Sequence, residues 1–346
     1  MTHPRGRYAA PTVAAVAVAI ALMAGCSADG PQARTAELRG EFATAEATSA
    51  AVVDSAGRTD VLAAAPVSKK AASTKPALGS DLDVDAALAH VRRLSEIGVR
   101  QAGSDQEREA AQYIAAQLKI CGYLPNTETF VLPNGRESRN VVATKKGVGD
   151  ARIVVGAHMD SKAPSPGAND NASGVAAMLA IAEALVDEEV WATVEFVAFG
   201  SEEMVDSDPD HHHYGSRFRV LATSSSERDS TVAMFSVDMI GYGSSFNVRT
   251  MRRGPQTLSD DVLDFARERG VEASFKLDSY PTGLSDHEPY ELVGIPAACV
   301  AWREDPAYHT GKDTAERLTR ENVRIAGQLV LDYVRAVDEE KAERLR

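Results

Sequence analysis

Acidic residues and histidines follow the strand-like runs of this sequence. They stand at the ends of IVVGAHMDS, VEFVAFGSEE and MFSVDMIG, in the loop PSPGANDNASG, and just beyond AACVAW. Ligands of open α/β sheets bind beyond the carboxyl ends of the strands, so we expect these side chains to meet at one edge. Imidazole and carboxylate groups are ligands that zinc takes in proteins, and the pattern therefore predicts a metal site. The residues concerned are His158, Asp160, Asp170, Glu202, Glu203, Asp238 and His309.

Three consecutive histidines, His211 to His213, form the most conspicuous metal-like feature of a chain that has only eight histidines. Adjacent residues of an extended chain point to alternate faces, so three such neighbours do not converge on one ion. We therefore predict that this run is a solvated loop beside the metal site, with contact to substrate as the alternative.

The elements that must position these side chains begin near Asp81. From there, nearly all-apolar runs such as ARIVVGAHMDS and AACVAW alternate with helix-like stretches such as GVAAMLAIAEALVDEE. Strands of this kind predict an α/β fold whose central sheet is covered by helices on both faces. We expect one domain over residues 81–346, a length within the range of such folds.

The N-terminal 25 residues have the layout of an export signal. Arg5 and Arg7 precede an apolar run and a small-residue cleavage site, LMAGCS. The site resembles a bacterial lipoprotein box, in which Cys26 becomes the lipid-bearing first residue; an ordinary secretory signal is the alternative. We expect a lipid anchor on Cys26 to hold the exported chain at the outer face of the bacterial cell membrane. Residues 26–80 are rich in Ala, Ser and Thr, and this composition predicts a low-complexity tether.

Charge and cysteine content bear on the possible binding partners and on disulfide formation. The net charge is −13, and no basic stripe with interleaved aromatic residues is present, which argues against nucleic-acid binding. Cys299 lies in the apolar run PAACVAW, so we favour separately buried thiols at Cys121 and Cys299, although export permits a disulfide between them. The sequence leaves the oligomeric state open.

Five segments together resemble a known family. GAHMDS, PGANDNASG, FGSEE, SVDMIG and YHTGKDT are similar, in order and spacing, to the signatures of the M28 family of zinc aminopeptidases. The resemblance extends from about Leu82 to about Val337. It implies a single zinc-exopeptidase domain with a mixed, mostly parallel central sheet, and peptide substrates with a free N-terminus.

The resemblance also implies two Zn²⁺ ions per chain, bridged by one aspartate. Carried over by position, His158, Asp170 and Asp238 hold one ion. Asp170, Glu203 and His309 hold the other. Each ion then keeps an open position, as catalytic zinc requires. A cis peptide bond after Asp170 is a further expectation.

Four other residues match family positions with roles in the reaction. Glu202 corresponds to the general base, and Tyr308 to a tyrosine whose hydroxyl helps to hold the oxyanion. Asp160 matches a carboxylate that orients a ligand imidazole from outside the coordination sphere, and Asp286 is a weaker candidate for such a role.

Three alternatives to an aminopeptidase remain on the same residues. A glutaminyl-cyclase-like zinc acyltransferase shares the fold, but a tryptophan is expected there in place of Tyr308. A carboxypeptidase would use the same metal ligands, although no additional domain supplies a clear basic pocket. A catalytically inactive, lipid-anchored binding protein is the third, and the presence of Glu202 argues against it.

Overall fold

A computed structural model describes residues 77–206, 208, 211–278 and 282–346. The predicted export signal, Cys26 and nearly all of the predicted tether lie outside the described residues. The described residues belong to one compact unit. No helix among them is both long and apolar enough to cross a membrane.

The described strands form one mixed sheet of eight, in the order β1-β2-β4-β3-β5-β8-β6-β7. The strands are β1 Asn126–Val131, β2 Glu137–Lys145, β3 Arg152–His158, β4 Thr193–Phe199, β5 Thr231–Val237, β6 Ser245–Thr250, β7 Ser274–Leu277 and β8 Ala297–Arg303. The four central strands, β4, β3, β5 and β8, run parallel, and antiparallel pairings join them to the outer strands. The predicted α/β class with a mostly parallel, mixed sheet is therefore confirmed.

Helices cover both faces of this sheet. They are α1 Val84–Glu96, α2 Asp105–Ile120, α3 Ser173–Leu185, α4 Tyr214–Ala222, α5 Ser225–Ser230, α6 Thr257–Glu268, α7 His287–Leu292, α8 Arg320–Arg335 and α9 Glu339–Leu345. Ile153 and Val155 of β3 belong to the larger apolar core, whereas Val154 belongs to a smaller core on the opposite face. Burial on both faces explains why the central strands read as continuous apolar runs.

The outer strands β1 and β7 are not recognisable as strands from the sequence. Strands β1 and β7 expose most of their residues, so no apolar run marks them in the sequence.

Cys121 and Cys299 are both free, but only Cys299 is buried, whereas Cys121 is partly exposed. The separate thiols are therefore confirmed, and the expected burial of Cys121 is wrong.

Candidate metal centre

The parallel centre of the sheet brings the predicted residues to one edge. His158 is the last residue of β3, Asp238 directly follows β5, and Glu203 lies shortly after β4. His309 lies in the loop after β8, and Asp170 lies in the short helical turn Ala168–Ala172 between β3 and α3. Because β3, β4, β5 and β8 are parallel neighbours, their carboxyl ends meet at this edge.

Asp170 lies between the two histidines and presents one carboxylate oxygen to each. Its Oδ1 is 3.2 Å from His158 Nε2, and its Oδ2 is 3.1 Å from His309 Nε2. Asp238 Oδ1 is 3.5 Å from His158 Nε2, and Glu203 Oε1 is 2.9 Å from His309 Nε2. The five side chains thus form two groups that share Asp170, which is the division that the resemblance implies.

The donor atoms at this edge are buried without hydrogen-bond partners. They are His158 Nε2, Asp170 Oδ2, Glu203 Oε1, Asp238 Oδ1 and His309 Nε2. Buried polar atoms in folded proteins nearly always have partners, so five converging exceptions mark a site built to bind a further group. Nitrogen and oxygen donors of this kind fit zinc, and the arrangement therefore passes the test for a metal centre.

Burial and neighbouring charge shift the pKa values of these groups. Burial, reinforced by the Asp170 carboxylate, raises the pKa of Glu203 to about 8. Burial lowers the pKa of His309, but the adjacent Asp170 and Glu203 carboxylates outweigh it and raise that pKa to about 9. Burial opposes ionisation of Asp170 as well, yet the contacts with His158 and His309 hold its pKa below the usual value. A metal ion that binds here must therefore displace protons.

Comparison with known protein families identifies the family of this chain. The model of Peptidase family M28 matches residues 140–334, which is more than half of the chain. The chain belongs to peptidase family M28. This result confirms the predicted family. It also confirms the predicted enzyme class, a hydrolase of the metallo-exopeptidase type.

One relative of this M28 family member is aminopeptidase YwaD of Bacillus subtilis. The two are 33% identical over 264 residues, which cover 71% of this chain and 53% of that protein. The chain therefore spans about half the length of this relative, and its own reaction and substrates are proposed below.

Solved structures of two kinds share the fold. The zinc aminopeptidase BSAP from Bacillus subtilis superposes with a TM-score of 0.68 at 20% identity, over 76% of this chain and 97% of that chain. A glutaminyl cyclase from Bacteroides thetaiotaomicron superposes with a TM-score of 0.64 at 19% identity, over 74% of this chain and 99% of that chain. At these identities the likeness shows the fold alone, and the fold does not separate the two activities.

Asp160 links the ends of two strands in this M28 family member. Its Oδ1 accepts a hydrogen bond from the Glu202 backbone N–H at 3.0 Å, and its Oδ2 accepts one from Glu203 N–H at 3.2 Å. The same Oδ1 lies 3.4 Å from His158 Nδ1. Asp160 is therefore placed to orient the imidazole, as its predicted role requires.

The segment that carries Asp170 is fixed by a second buried carboxylate. Asp313, from the motif YHTGKDT, accepts hydrogen bonds from the backbone N–H groups of Asn169 at 2.8 Å and Asp170 at 3.1 Å. The peptide bond between Asp170 and Asn171 is cis, as the resemblance implies. Asp313 thus holds the shared ligand through its backbone.

Tyr308 and Asp286 occupy different positions around the centre. Tyr308 lines the cavity of about 180 Å³ at the site, and its ring stacks on His309 with centroids 3.7 Å apart. Asp286 is fully buried, and no hydrogen bond joins its carboxylate to any of the five candidate ligands. Burial, together with the Glu202 carboxylate, raises the pKa of Asp286 to about 7.

The prediction of a solvated histidine loop is wrong for two of its three residues. His211 is partly exposed and lies 2.7 Å from Asp206, but His212 and His213 are buried in the wall of the cavity. The argument from alternate faces assumed an extended chain, whereas His213 has a φ of 53°. This turn brings the rings of His212 and His213 together, with centroids 3.9 Å apart.

Arg100 stabilises the loop that leads to the site. Nothing in the sequence segment GVRQAG distinguishes it from a surface arginine. It is fully buried. Its guanidinium donates to five backbone carbonyl oxygens, which belong to Leu94, Gly98, Met159, Pro166 and Gly167. Arg100 therefore ties helix α1 to the loop that leads from β3 to Asp170.

Replacing Arg100 with methionine is expected to destabilise the protein by at least about 1–3 kcal/mol, the cost of leaving a buried hydrogen-bonding group unsatisfied. The substitution leaves the buried carbonyl oxygens without their donor. Urea unfolding, compared with the unchanged chain, measures the difference. Arg93→Met is the matched control, because Arg93 makes an exposed ion pair with Glu109 and should change stability by at most about 1 kcal/mol. Equal effects of the two substitutions would contradict the assignment.

Two cations in the cavity wall were not anticipated either. Lys162 and Arg303 line the cavity together with the candidate ligands. Arg303 lies at the end of β8, with its Nη1 4.0 Å from the sulfur of Met239. The positive charges of these two side chains are able to pair with a carboxylate group of a substrate.

Proposed function

We propose that this chain is a zinc-dependent aminopeptidase that releases N-terminal residues from peptides, using two zinc ions. The observation that carries the proposal is the position of Asp170, whose two carboxylate oxygens each face a different histidine at 3.1–3.2 Å. Sharing of one carboxylate between two groups of donors suits a pair of ions better than a single ion.

His158, Asp170 and Asp238 would hold one ion, and Asp170, Glu203 and His309 the other. Bound zinc lowers the pKa of a water molecule and polarises the carbonyl group under attack. Its binding here is supported by the unpartnered donor atoms and by the relatives whose names describe aminopeptidases.

Glu202 is the general base of the proposed reaction. Its Oε2 faces the metal centre, 4.0 Å from His158 Nε2, while its other oxygen is held by a neighbouring histidine. Glu202 takes a proton from the attacking water and delivers it to the leaving amine. The hydroxyl of Tyr308 donates a hydrogen bond to the oxyanion that develops on the substrate. The acids at the cavity, Glu202 and Asp238 among them, attract the free ammonium group of the substrate.

The purified full chain is expected to release p-nitroaniline from leucyl anilide but not from the N-acetylated anilide, because the site is built to receive a free ammonium group. Chelation of metal should abolish the release, and added zinc should restore it. Cleavage of N-blocked peptides that carry a free C-terminal carboxylate would indicate a carboxypeptidase instead. Cyclisation of N-terminal glutamine without anilide cleavage would indicate a glutaminyl cyclase, and bound zinc without either reaction would indicate a binding protein.

We also propose that residues 1–25 are removed as a lipoprotein-type signal, that residues 26–80 form a tether, and that residues 81–346 are the catalytic domain. A lipid on Cys26 then anchors the exported enzyme to the outer face of the bacterial cell membrane. Metabolic labelling with palmitate is expected to mark the chain and to fail for Cys26→Ala. Equal labelling of both would contradict the anchor.

A further inference from the structure

His213 lies between two carboxylates, one of which belongs to the proposed general base. Its Nε2 is hydrogen-bonded to Glu202 Oε1 at 3.0 Å, and its Nδ1 lies 3.0 Å from Glu288 Oε2. Only 2% of the His213 side chain is exposed, so little water competes for these contacts. The Nε2 contact is a hydrogen bond, whereas Nδ1 meets Glu288 at ion-pair distance without a hydrogen bond among the described residues, so the Glu202 contact is the one that fixes the ring orientation.

The backbone fixes the same contact. His213 N–H donates to the Glu202 carbonyl oxygen at 2.9 Å, and Tyr214 N–H donates to the Ser201 carbonyl at 2.8 Å. The two ends of this loop approach so closely at Gly215 that an added Cβ would lie 2.3 Å from the Gly200 carbonyl oxygen. These contacts hold the His213 backbone next to Glu202, the proposed general base.

Glu288 is itself held in place by contacts other than the one with His213. It lies near the start of α7, and its Oε2 accepts a hydrogen bond from Gly283 N–H at 2.9 Å. Arg217 Nη2 lies 3.6 Å from Glu288 Oε1 and 3.1 Å from His212 Nε2. Burial lowers the pKa of His213, but the neighbouring Glu202 and Glu288 carboxylates outweigh burial and raise it to about 10. An imidazolium donates from Nε2 to Glu202, and its positive charge attracts Glu288 on the Nδ1 side.

We propose that His213 is a positioning residue for Glu202, a role that rests on the proposed aminopeptidase function. By donating from Nε2 to Oε1, it fixes the rotation of the Glu202 carboxylate and leaves Oε2 directed at the metal centre. Glu288 in turn attracts the His213 imidazolium from the Nδ1 side. The imidazole exchanges no proton with the substrate, and its effect is confined to the orientation of the base.

A third metal ion is the competing use of this cluster, since His212, His213 and Glu288 have donor atoms close enough to share one ion and His213 Nδ1 is buried without a hydrogen-bond partner. Arg217 argues against it, because its guanidinium already brings positive charge to His212 and Glu288. The two uses differ in measurable metal content: positioning requires none beyond the two proposed ions.

The test compares His213→Leu and His213→Gln in the full, zinc-loaded chain with leucyl p-nitroanilide as substrate. Loss of orientation at a catalytic group should lower kcat about 10- to 100-fold for His213→Leu, with little change in KM. His213→Gln retains a donor and should recover part of this loss. Zinc content should match that of the unchanged chain. The thermal midpoint should fall for His213→Leu, because two buried carboxylates lose their partner, so kcat is measured well below the midpoint of each variant. His211→Gln is the matched control from the same run and should leave kcat unchanged.

A double substitution separates positioning from general structural damage. In a Glu202→Gln background, His213→Leu should cause no further loss of kcat, because the group that it orients is no longer a base. An additive loss, an unchanged kcat in the single variant, or the loss of a third equivalent of zinc would each overturn the proposal.

Inactivity of the unchanged, zinc-loaded chain toward every free aminoacyl anilide would refute the proposed function rather than this contact. In that case the imidazole proton of His213 remains observable by NMR in ¹⁵N-histidine-labelled protein. A strongly downfield proton that is lost in Glu202→Gln supports the contact. Its absence from the unchanged chain overturns it.

Discussion

Glu202→Gln is expected to lower kcat for leucyl p-nitroanilide by about 10²- to 10⁴-fold, the usual contribution of a general acid–base group. Glutamine has nearly the same shape but cannot accept the proton from the attacking water. Binding of zinc should be preserved, because Glu202 is not one of the five candidate ligands. Steady-state kinetics and zinc analysis of the same preparation measure both expectations.

The control for this prediction is Glu189→Gln, which alters an exposed glutamate on the described surface and should leave kcat unchanged. A Glu202→Gln variant that turns over substrate at the normal rate would remove Glu202 from its role as base. A variant that loses zinc would place Glu202 among the ligands instead.

Asp170→Asn is expected to cause the other large loss, in metal content as well as in rate. The substitution removes the charge that both groups of donors share and leaves one good acceptor where two were present. We expect bound zinc to fall below two equivalents after dialysis, and kcat to fall at least as far as it does on loss of the base, about 10²- to 10⁴-fold. Elemental analysis and leucyl p-nitroanilide turnover measure the two effects.

Asp187→Asn provides the matched comparison, because Asp187 is exposed and should affect neither zinc nor rate. Retention of two zinc equivalents by Asp170→Asn would contradict the shared position of this carboxylate.

The convergence of the candidate ligands could be predicted because it depends on the parallel centre of the sheet. His158 and Asp238 stand at the ends of strands that are apolar on both faces, and such strands are recognisable from the sequence. Parallel neighbours direct their carboxyl ends to the same edge, so the position of each residue along its strand was sufficient. The division into two groups around Asp170 came from the family resemblance alone.

The surroundings of the general base could not be predicted, because they depend on one backbone conformation and on long-range contacts. The left-handed conformation of His213 buries a histidine that an extended loop would have exposed. Its second partner, Glu288, is 75 residues further along the chain. The sequence around Arg100 likewise does not predict its burial, because its five carbonyl partners come from separate segments of the chain. The edge strands β1 and β7 were missed because exposure removes the apolar pattern.

Reconstitution with zinc tests the central proposal most directly. The full chain is stripped of metal with a chelator, zinc is returned in measured fractions of an equivalent, and leucyl p-nitroanilide hydrolysis is recorded at each step. Two ions that share Asp170 predict activity that rises with zinc and levels off at two bound equivalents. A plateau at one equivalent, with no further change on binding of the second, or the absence of hydrolysis at every loading, would contradict a two-zinc aminopeptidase.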